Sequence, residues 1–244
     1  NGRNSDEKRL HSETMKSFEL NGLKLSDEKL ARMKELKGEL ATLESQFASN
    51  LNNDKTVIEF DAAELEGVSD SFLARLKKSD AGKYIVTTKS TDYTQVMENA
   101  KSGETRRKML LAYFSRAAEK NTRLLEQAIE LRQKISSTMG YSTWADYRIK
   151  GRMAKDGATV LSFLDGLKGK LAQRNAADIA KLLRFKKELE PSATEVKAWD
   201  ISFLAYQLKK RDFSLDDDKI REYFPAEVVI AGMFDVYSKL LGVK

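Results

Sequence analysis

Leu30, Met33, Leu36, Leu40, Leu43, Phe47 and Leu51 recur at steps of three and four residues. A helix turns once per 3.6 residues, so these side chains form one apolar stripe. Ser26, ahead of the stripe, is a good N-cap, and Asp27 and Glu28 stand where the helix dipole favours negative charge. Asn50, Asn52 and Asn53 close the segment. At about 1.5 Å per residue the helix is about 40 Å long. An apolar stripe of that length needs a substantial partner surface, which commits the chain to a helical core.

The remaining pattern agrees. Residues 1–20 are polar and are expected to form one helix with few apolar contacts, Leu10, Met15 and Phe18. Asn21-Gly22-Leu23-Lys24-Leu25 then makes a turn and a short apolar anchor. Residues 56–60 and 83–88 read as strands, the second following the Asp80-Ala81-Gly82 turn, and they are expected to pair as a small antiparallel ribbon. Ser69 caps a short helix between them, through Lys77. From Ser90 onward, segments 92–100, 104–119, 121–139, 143–150, 157–189, 198–211, 217–223 and 226–241 carry helical periodicity. Gly140 and Gly242 stand at expected C-terminal caps, and Pro225 at a helix start, where its missing N–H costs nothing. With 2 Pro and 13 Gly in 244 residues, the composition suits long helices better than sandwiches or barrels. No repeat of 30–45 residues and no Gly/Ser/Pro-rich linker divides the chain, so residues 1–244 read as a single unit. Within it, 1–55 is a long-helix region, 56–90 the ribbon with its short helix, and 91–244 a helical bundle.

Functional motifs are mostly absent. The net charge is +6, but Lys34-Glu35, Lys37, Glu39 and Lys186-Lys187-Glu188 show the mixed pattern of exposed helix faces. The three-residue basic run Lys209-Lys210-Arg211 is soon followed by Asp216-Asp217-Asp218. Solvated faces are therefore favoured over a nucleic-acid patch. There is no cysteine, which excludes disulfides and thiolate metal sites. No apolar run approaches the roughly 20 residues that cross a bilayer. Asn1-Gly2-Arg3-Asn4 has no initiator Met and no signal-peptide architecture, and reads as an internal start.

A peptidase zinc helix needs two histidines four residues apart, with Glu beside the first. The one histidine, His11, is followed by Ser12 and then Met15, so it cannot form that site and reads as a surface residue. Phosphate loops and dinucleotide glycine motifs are absent, and a nucleophilic triad lacks its base. Dipole compensation or exposure accounts for the acidic clusters Asp216-Asp217-Asp218 and Glu64-Leu65-Glu66 without a metal. Trp199, Phe203 and Tyr206 follow an i, i+4, i+7 stripe, and with Trp144 and Tyr147 they read as core rather than as a ligand groove. No catalytic, metal-binding or cofactor-binding residue is expected in this chain.

The ordered motifs carry further. Asn21-Gly22-Leu23-Lys24-Leu25-Ser26 opens the long helix and Leu51-Asn52-Asn53-Asp54 closes it. Gly82-Lys83-Tyr84-Ile85-Val86-Thr87 leads to Glu104-Thr105-Arg106-Arg107-Lys108. Met139-Gly140-Tyr141, Ala145-Asp146-Tyr147, Met153-Ala154-Lys155, Ala198-Trp199-Asp200 and Glu222-Tyr223-Phe224-Pro225 follow in order. In this order and spacing the chain resembles the thimet oligopeptidase and neurolysin family over nearly its whole length.

That resemblance implies a mainly α, multi-helical fold. The chain would form part of one lobe of a neurolysin-like zincin peptidase, beside a deep channel that admits only short peptides. It implies Zn2+ in the intact parent, with the His-Glu-x-x-His helix and the further Glu ligand beyond Lys244, and no zinc in this segment. The partners expected are short peptide substrates and the catalytic segment downstream, with neither membrane nor nucleic acid, in a cytoplasmic setting. This segment alone is expected to be inactive. The alternative is a non-catalytic helical scaffold or binding module for acidic partners or RNA. For the matched residues the local physics implies structural roles. Arg106 and Arg107 begin a helix whose apolar face is Met109, Leu110, Tyr113 and Phe114, and one of them is expected in a buried or half-buried ion pair. Asp200, at a helix start beside Trp199, is expected to cap or pair.

Overall fold

The computed structural model describes residues 4–215 and 217–243, the side chains of Asp217 and Asp218 excepted. The chain begins with α1 (Ser5–Leu20) and α2 (Asp27–Asn52), followed by β1 (Val57–Phe60), α3 (Asp70–Arg75), β2 (Lys77–Lys78) and β3 (Tyr84–Thr87). After these come α4 (Ser90–Asn99), α5 (Gly103–Phe114), α6 (Ala118–Thr138), α7 (Trp144–Ile149) and α8 (Gly157–Leu189). A 3-10 turn, Ala198–Asp200, leads into α9 (Ile201–Phe213), α10 (Asp217–Arg221) and α11 (Ala226–Leu241). The fold is mainly helical with one small antiparallel sheet, as expected. It divides into two compact units, Asn1–Thr56 with Ala112–Asp178, and Val57–Leu111 with Ile179–Lys244.

The stripe on α2 organises the first unit. Met33, Leu36 and Leu40 are buried against Ala128, Leu131 and Ile135 of α6 and Tyr147 of α7. Polar groups fix the register of the two long helices. The Asn50 amide donates to Asn121 Oδ1 at 2.8 Å, and Asn121 donates to Phe47 O at 3.1 Å. The sequence predicts helix over 104–119, but α5 stops at Phe114. Ala117 instead takes a left-handed φ of 52°, and its N–H donates to Asp54 Oδ2 at 2.9 Å. This tertiary bond supports a conformation that costs a residue with a Cβ about 1–2 kcal/mol. Phe114, assigned to an apolar face by periodicity, is consequently exposed at the helix end.

In the second unit the sheet order is β1-β3-β2, with Val57 opposite Thr87 and Phe60 opposite Tyr84. The two-strand ribbon of the sequence reading therefore gains a third strand. α3 ends at Arg75, and Lys77–Lys78 pairs with Tyr84–Ile85 where a helix end was expected. Two lysines carry no β signal, and only the neighbouring edge of β3 makes them a strand. Phe60, Leu65, Phe72, Val86, Val96 and Met109 form the core under the sheet. Phe185 of α8 and Phe203, Leu204 and Leu208 of α9 form a second cluster. Gly140 and Gly242 adopt φ of 82° and 65° behind α6 and α11, as their expected capping role requires.

Ile135 is wholly buried in the seam between α2 and α6. Ile135→Ala is expected to cost about 2–5 kcal/mol, read as a lower urea midpoint at unchanged slope. A loss below about 1 kcal/mol would show that this seam does not hold the unit together.

Candidate functional site

α5 begins with a local cap. Ser102 Oγ accepts from Thr105 N at 3.2 Å, and Thr105 Oγ1 donates to Glu64 O at 2.9 Å. This places Arg106 one turn inside the helix, with its side chain only 4% exposed. Nε donates to Trp199 O at 3.0 Å, and Nη1 donates to Ala100 O and Lys101 O at 2.7 and 2.8 Å. Nη2 donates to Asp200 Oδ1 at 2.6 Å, and the guanidinium lies 4.3 Å from the Phe203 ring centroid. One planar fork thus joins the start of α5 to the turn before α9.

Asp200 completes the network. Its Oδ2 accepts from Lys186 Nζ at 2.6 Å and from Lys197 N at 3.0 Å. Lys186 also donates to Glu195 O at 3.2 Å. Burial opposes the carboxylate charge, but the hydrogen bonds from Lys186, Arg106 and the Lys197 backbone outweigh it. The carboxyl is therefore held below its ordinary pKa and stays ionised.

This network floors a cleft of about 1100 Å³ within the second unit. Trp199, Phe203 and Leu204 supply apolar surface, and Lys186, Lys197 and Arg211 supply charge. Arg211 is itself engaged, donating to Glu188 and Asp212 at 2.9 Å each and lying 4.7 Å from the Phe185 ring centroid. The chemistry on view is ion pairing and packing, without an activated nucleophile beside a base.

The structure places the other singled-out residues as follows. His11 is exposed on α1. Glu64 and Glu66 lie in a series of turns rather than at a helix start, and pair with Lys108 at 2.8 Å and Lys101 at 2.7 Å. Asp216 and the side chains of Asp217 and Asp218 lie outside the described residues. Phe203, Tyr206 and Tyr147 are buried, with the Tyr147 hydroxyl donating to Leu20 O at 2.7 Å. Trp144 and Trp199 are half-buried. Of the two arginines, Arg106 makes the expected buried pair, and Arg107 forms an exposed bidentate pair with Glu104 at 2.8 Å. Asp200 pairs and makes no side-chain cap on α9.

Lys186 is the residue that sequence reasoning misplaced. In Lys186-Lys187-Glu188 it looked solvated, yet its side chain is 15% exposed against Asp200. The one available signal was its neighbour Phe185, which marks the buried side of that turn. Among the described residues no three His, Cys, Asp or Glu side chains form a group that could hold a metal ion. No helix of the described residues is long and apolar enough to cross a membrane.

Comparison with known proteins agrees with the family resemblance. The family model of peptidase family M3 matches residues 96–244, more than half of the chain. Saccharolysin of Saccharomyces cerevisiae is 33% identical over 240 residues, covering 94% of this chain and 34% of that protein. The thimet-like oligopeptidase of Dictyostelium discoideum is 28% identical over 246 residues, covering 97% of this chain and 37% of its own length. Oligopeptidase A of Escherichia coli is 28% identical over 255 residues, covering 98% and 37%. The chain belongs to peptidase family M3. It spans about a third of the length of these relatives.

Asp200→Ala leaves Arg106 and Lys186 facing each other without their anion. The expected cost is about 3–5 kcal/mol in urea unfolding. The pH dependence has a definite sign. With the folded-state pKa of Asp200 lowered, the native state binds fewer protons than the unfolded state. This stabilisation is full above the unfolded carboxyl pKa, about pH 4, and is lost as pH falls through the lower folded value. Unfolding midpoints measured from pH 6 down to about pH 2 should show that loss in the native chain and not in the Asp200→Ala variant. Equal acid sensitivity in both would refute the assignment.

Proposed function

We propose that this chain is a wall segment of a zinc metalloendopeptidase, an oligopeptidase that hydrolyses short peptides with metal-activated water. The observation that carries the reading is membership of peptidase family M3, together with relatives named as oligopeptidases that align to nearly the whole chain. In this reading residues 1–244 are one segment of a larger peptidase. Zinc and the residues that hold it belong to the remainder of the parent. No residue of this chain is assigned a catalytic, metal or cofactor role, because His11 stands alone on an exposed helix. The segment contributes helices that flank a peptide channel, in a cytoplasmic enzyme whose partners are peptides and its own catalytic segment.

Unfinished apolar surface supports a wall reading. α11 exposes Val228, Val229, Ile230, Phe234, Tyr237 and Leu240, with Phe234 65% exposed. α8 likewise exposes Leu161, Phe163, Leu164, Leu167 and Leu171. Apolar area on this scale is costly in water and marks a surface made to be covered.

The full-length parent is expected to cleave short fluorogenic peptides and to lose that activity to a chelator such as 1,10-phenanthroline. The 244-residue chain is expected neither to cleave them nor to retain stoichiometric zinc in metal analysis. Tight zinc binding by this chain, or chelator-resistant cleavage by the parent, would overturn the proposal. Separately, Val229→Glu with Phe234→Glu should raise the solubility of the 244-residue chain and lower the thermal midpoint of the parent. A parent that tolerates both charges unchanged would show that nothing covers this face of α11.

A further inference from the structure

The first unit carries a further feature, a cluster of cations. Arg148-Ile149-Lys150-Gly151-Arg152-Met153-Ala154-Lys155 places four cations at the end of α7 and in the α7–α8 connection, with no carboxylate between them. Tight turns shape this connection. Arg152 N donates to Ile149 O at 2.7 Å, Lys155 N to Arg152 O at 3.1 Å and Asp156 N to Ala154 O at 2.9 Å. Lys155 holds a left-handed φ of 69°. All four cations line one groove of about 770 Å³, whose other side is the C-terminal half of α1.

Five cations line the groove, Lys16, Arg148, Lys150, Arg152 and Lys155, against one carboxylate, Glu13. None of the four cations makes a salt bridge with a carboxylate of the described residues. The acids that border the groove keep their charge and take their close hydrogen bonds or ion pairs from other groups, while Lys150 acts on Asp156 at longer range. Asp146 accepts from Thr143 Oγ1 at 2.7 Å, Ser142 Oγ at 3.2 Å and Gly157 N at 3.3 Å. Asp156 caps α8 through Thr159 N at 2.8 Å. Glu13 pairs with Lys16 at 2.9 Å, and Glu19 pairs with Lys24 at 2.8 Å. Lys37 on α2 has its pKa pushed down first by burial and then by the charge of Arg148.

Two observations select the kind of anion. Met153 stands among the cations and is 99% exposed, offering an apolar contact at the centre of the charge. Bases of single-stranded RNA need a free ring to stack on. Tyr147 is only 5% exposed, and Trp144, which packs against it at 5.5 Å between centroids, does not line the groove. We infer that this groove docks an acidic polypeptide segment, with its carboxylates on Arg148, Lys150, Arg152 and Lys155 and an apolar side chain against Met153. The inference rests on local charge and holds whether or not the parent is a peptidase.

The test is fluorescence anisotropy on the 244-residue chain at low salt. The probe is a short labelled peptide of glutamates around one leucine, beside its glutamine counterpart and a labelled oligouridine. R148Q/K150Q/R152Q/K155Q removes four cations from the groove. K29Q/K34Q/K168Q/K170Q removes four exposed cations elsewhere and is the matched control. Four solvent-exposed pairs together amount to about a tenfold change in affinity. The groove variant should therefore bind the glutamate peptide about tenfold more weakly, the control should bind it like the native chain, and added salt should erase the difference. Met153→Gln should weaken binding at unchanged charge. The idea fails if the native chain ignores the glutamate peptide, if both quadruple variants lose affinity equally, if the glutamine peptide binds as well, or if oligouridine binds more tightly. Circular dichroism of both variants checks that the fold is intact.

Discussion

Arg106 and Asp200 meet in the interior of the second unit, and much of that unit is arranged around keeping them there. A buried guanidinium is tolerated only when its donors are satisfied and its charge is balanced. Arg106 spends donors on three backbone carbonyls and one carboxylate. Those partners come from the end of α4, the start of α5 and the turn before α9. Lys186 adds α8 to the same carboxylate. The network therefore specifies how four helices approach one another, which apolar contacts alone define less sharply. Replacing it with a well-packed apolar cluster could match its stability while losing that geometric definition.

The network also accounts for the character of the cleft above it. Its charged floor is fully occupied with internal partners, so it offers shape more than reactivity. That is compatible with the wall role proposed for the segment. The first unit is built differently, on the apolar seam between α2 and α6 with Asn50 and Asn121 fixing the register. Four of its cations gather at the end of α7 and in the α7–α8 connection, around one groove. α11 has no buried side chain, so its apolar surface remains open to a covering partner.

Much of the fold was legible because it depends on spacing. α2, α6, α8 and α11 have long periodic stripes, and their ends carry Ser26, Gly140 and Gly242. The buried arginine pair was partly legible too. Arg106 sits among apolar residues at a helix start, where a charge must find a partner. The identity of the second cation was not legible, because Lys186 and the exposed Lys187 are neighbours of the same residue type. The β2 strand and the break at Ala117 were equally hidden, since both depend on partners distant in sequence, β3 and Asp54. The four cations at the end of α7 and in the α7–α8 connection escaped notice because they are not a run. Single apolar or small residues separate most of them, and only the turns gather their side chains around one groove.

By itself the sequence determined the helical class, the long apolar stripe and, through ordered motifs, the family. Those properties follow from local periodicity and residue order, which need no knowledge of what lies across the core. The tertiary structure alone decided which charges are buried, which are paired and which remain free. Burial sets the cost of a charge and long-range packing supplies its partner, so Arg106, Lys186 and Arg148 take three different roles from side chains of similar charge.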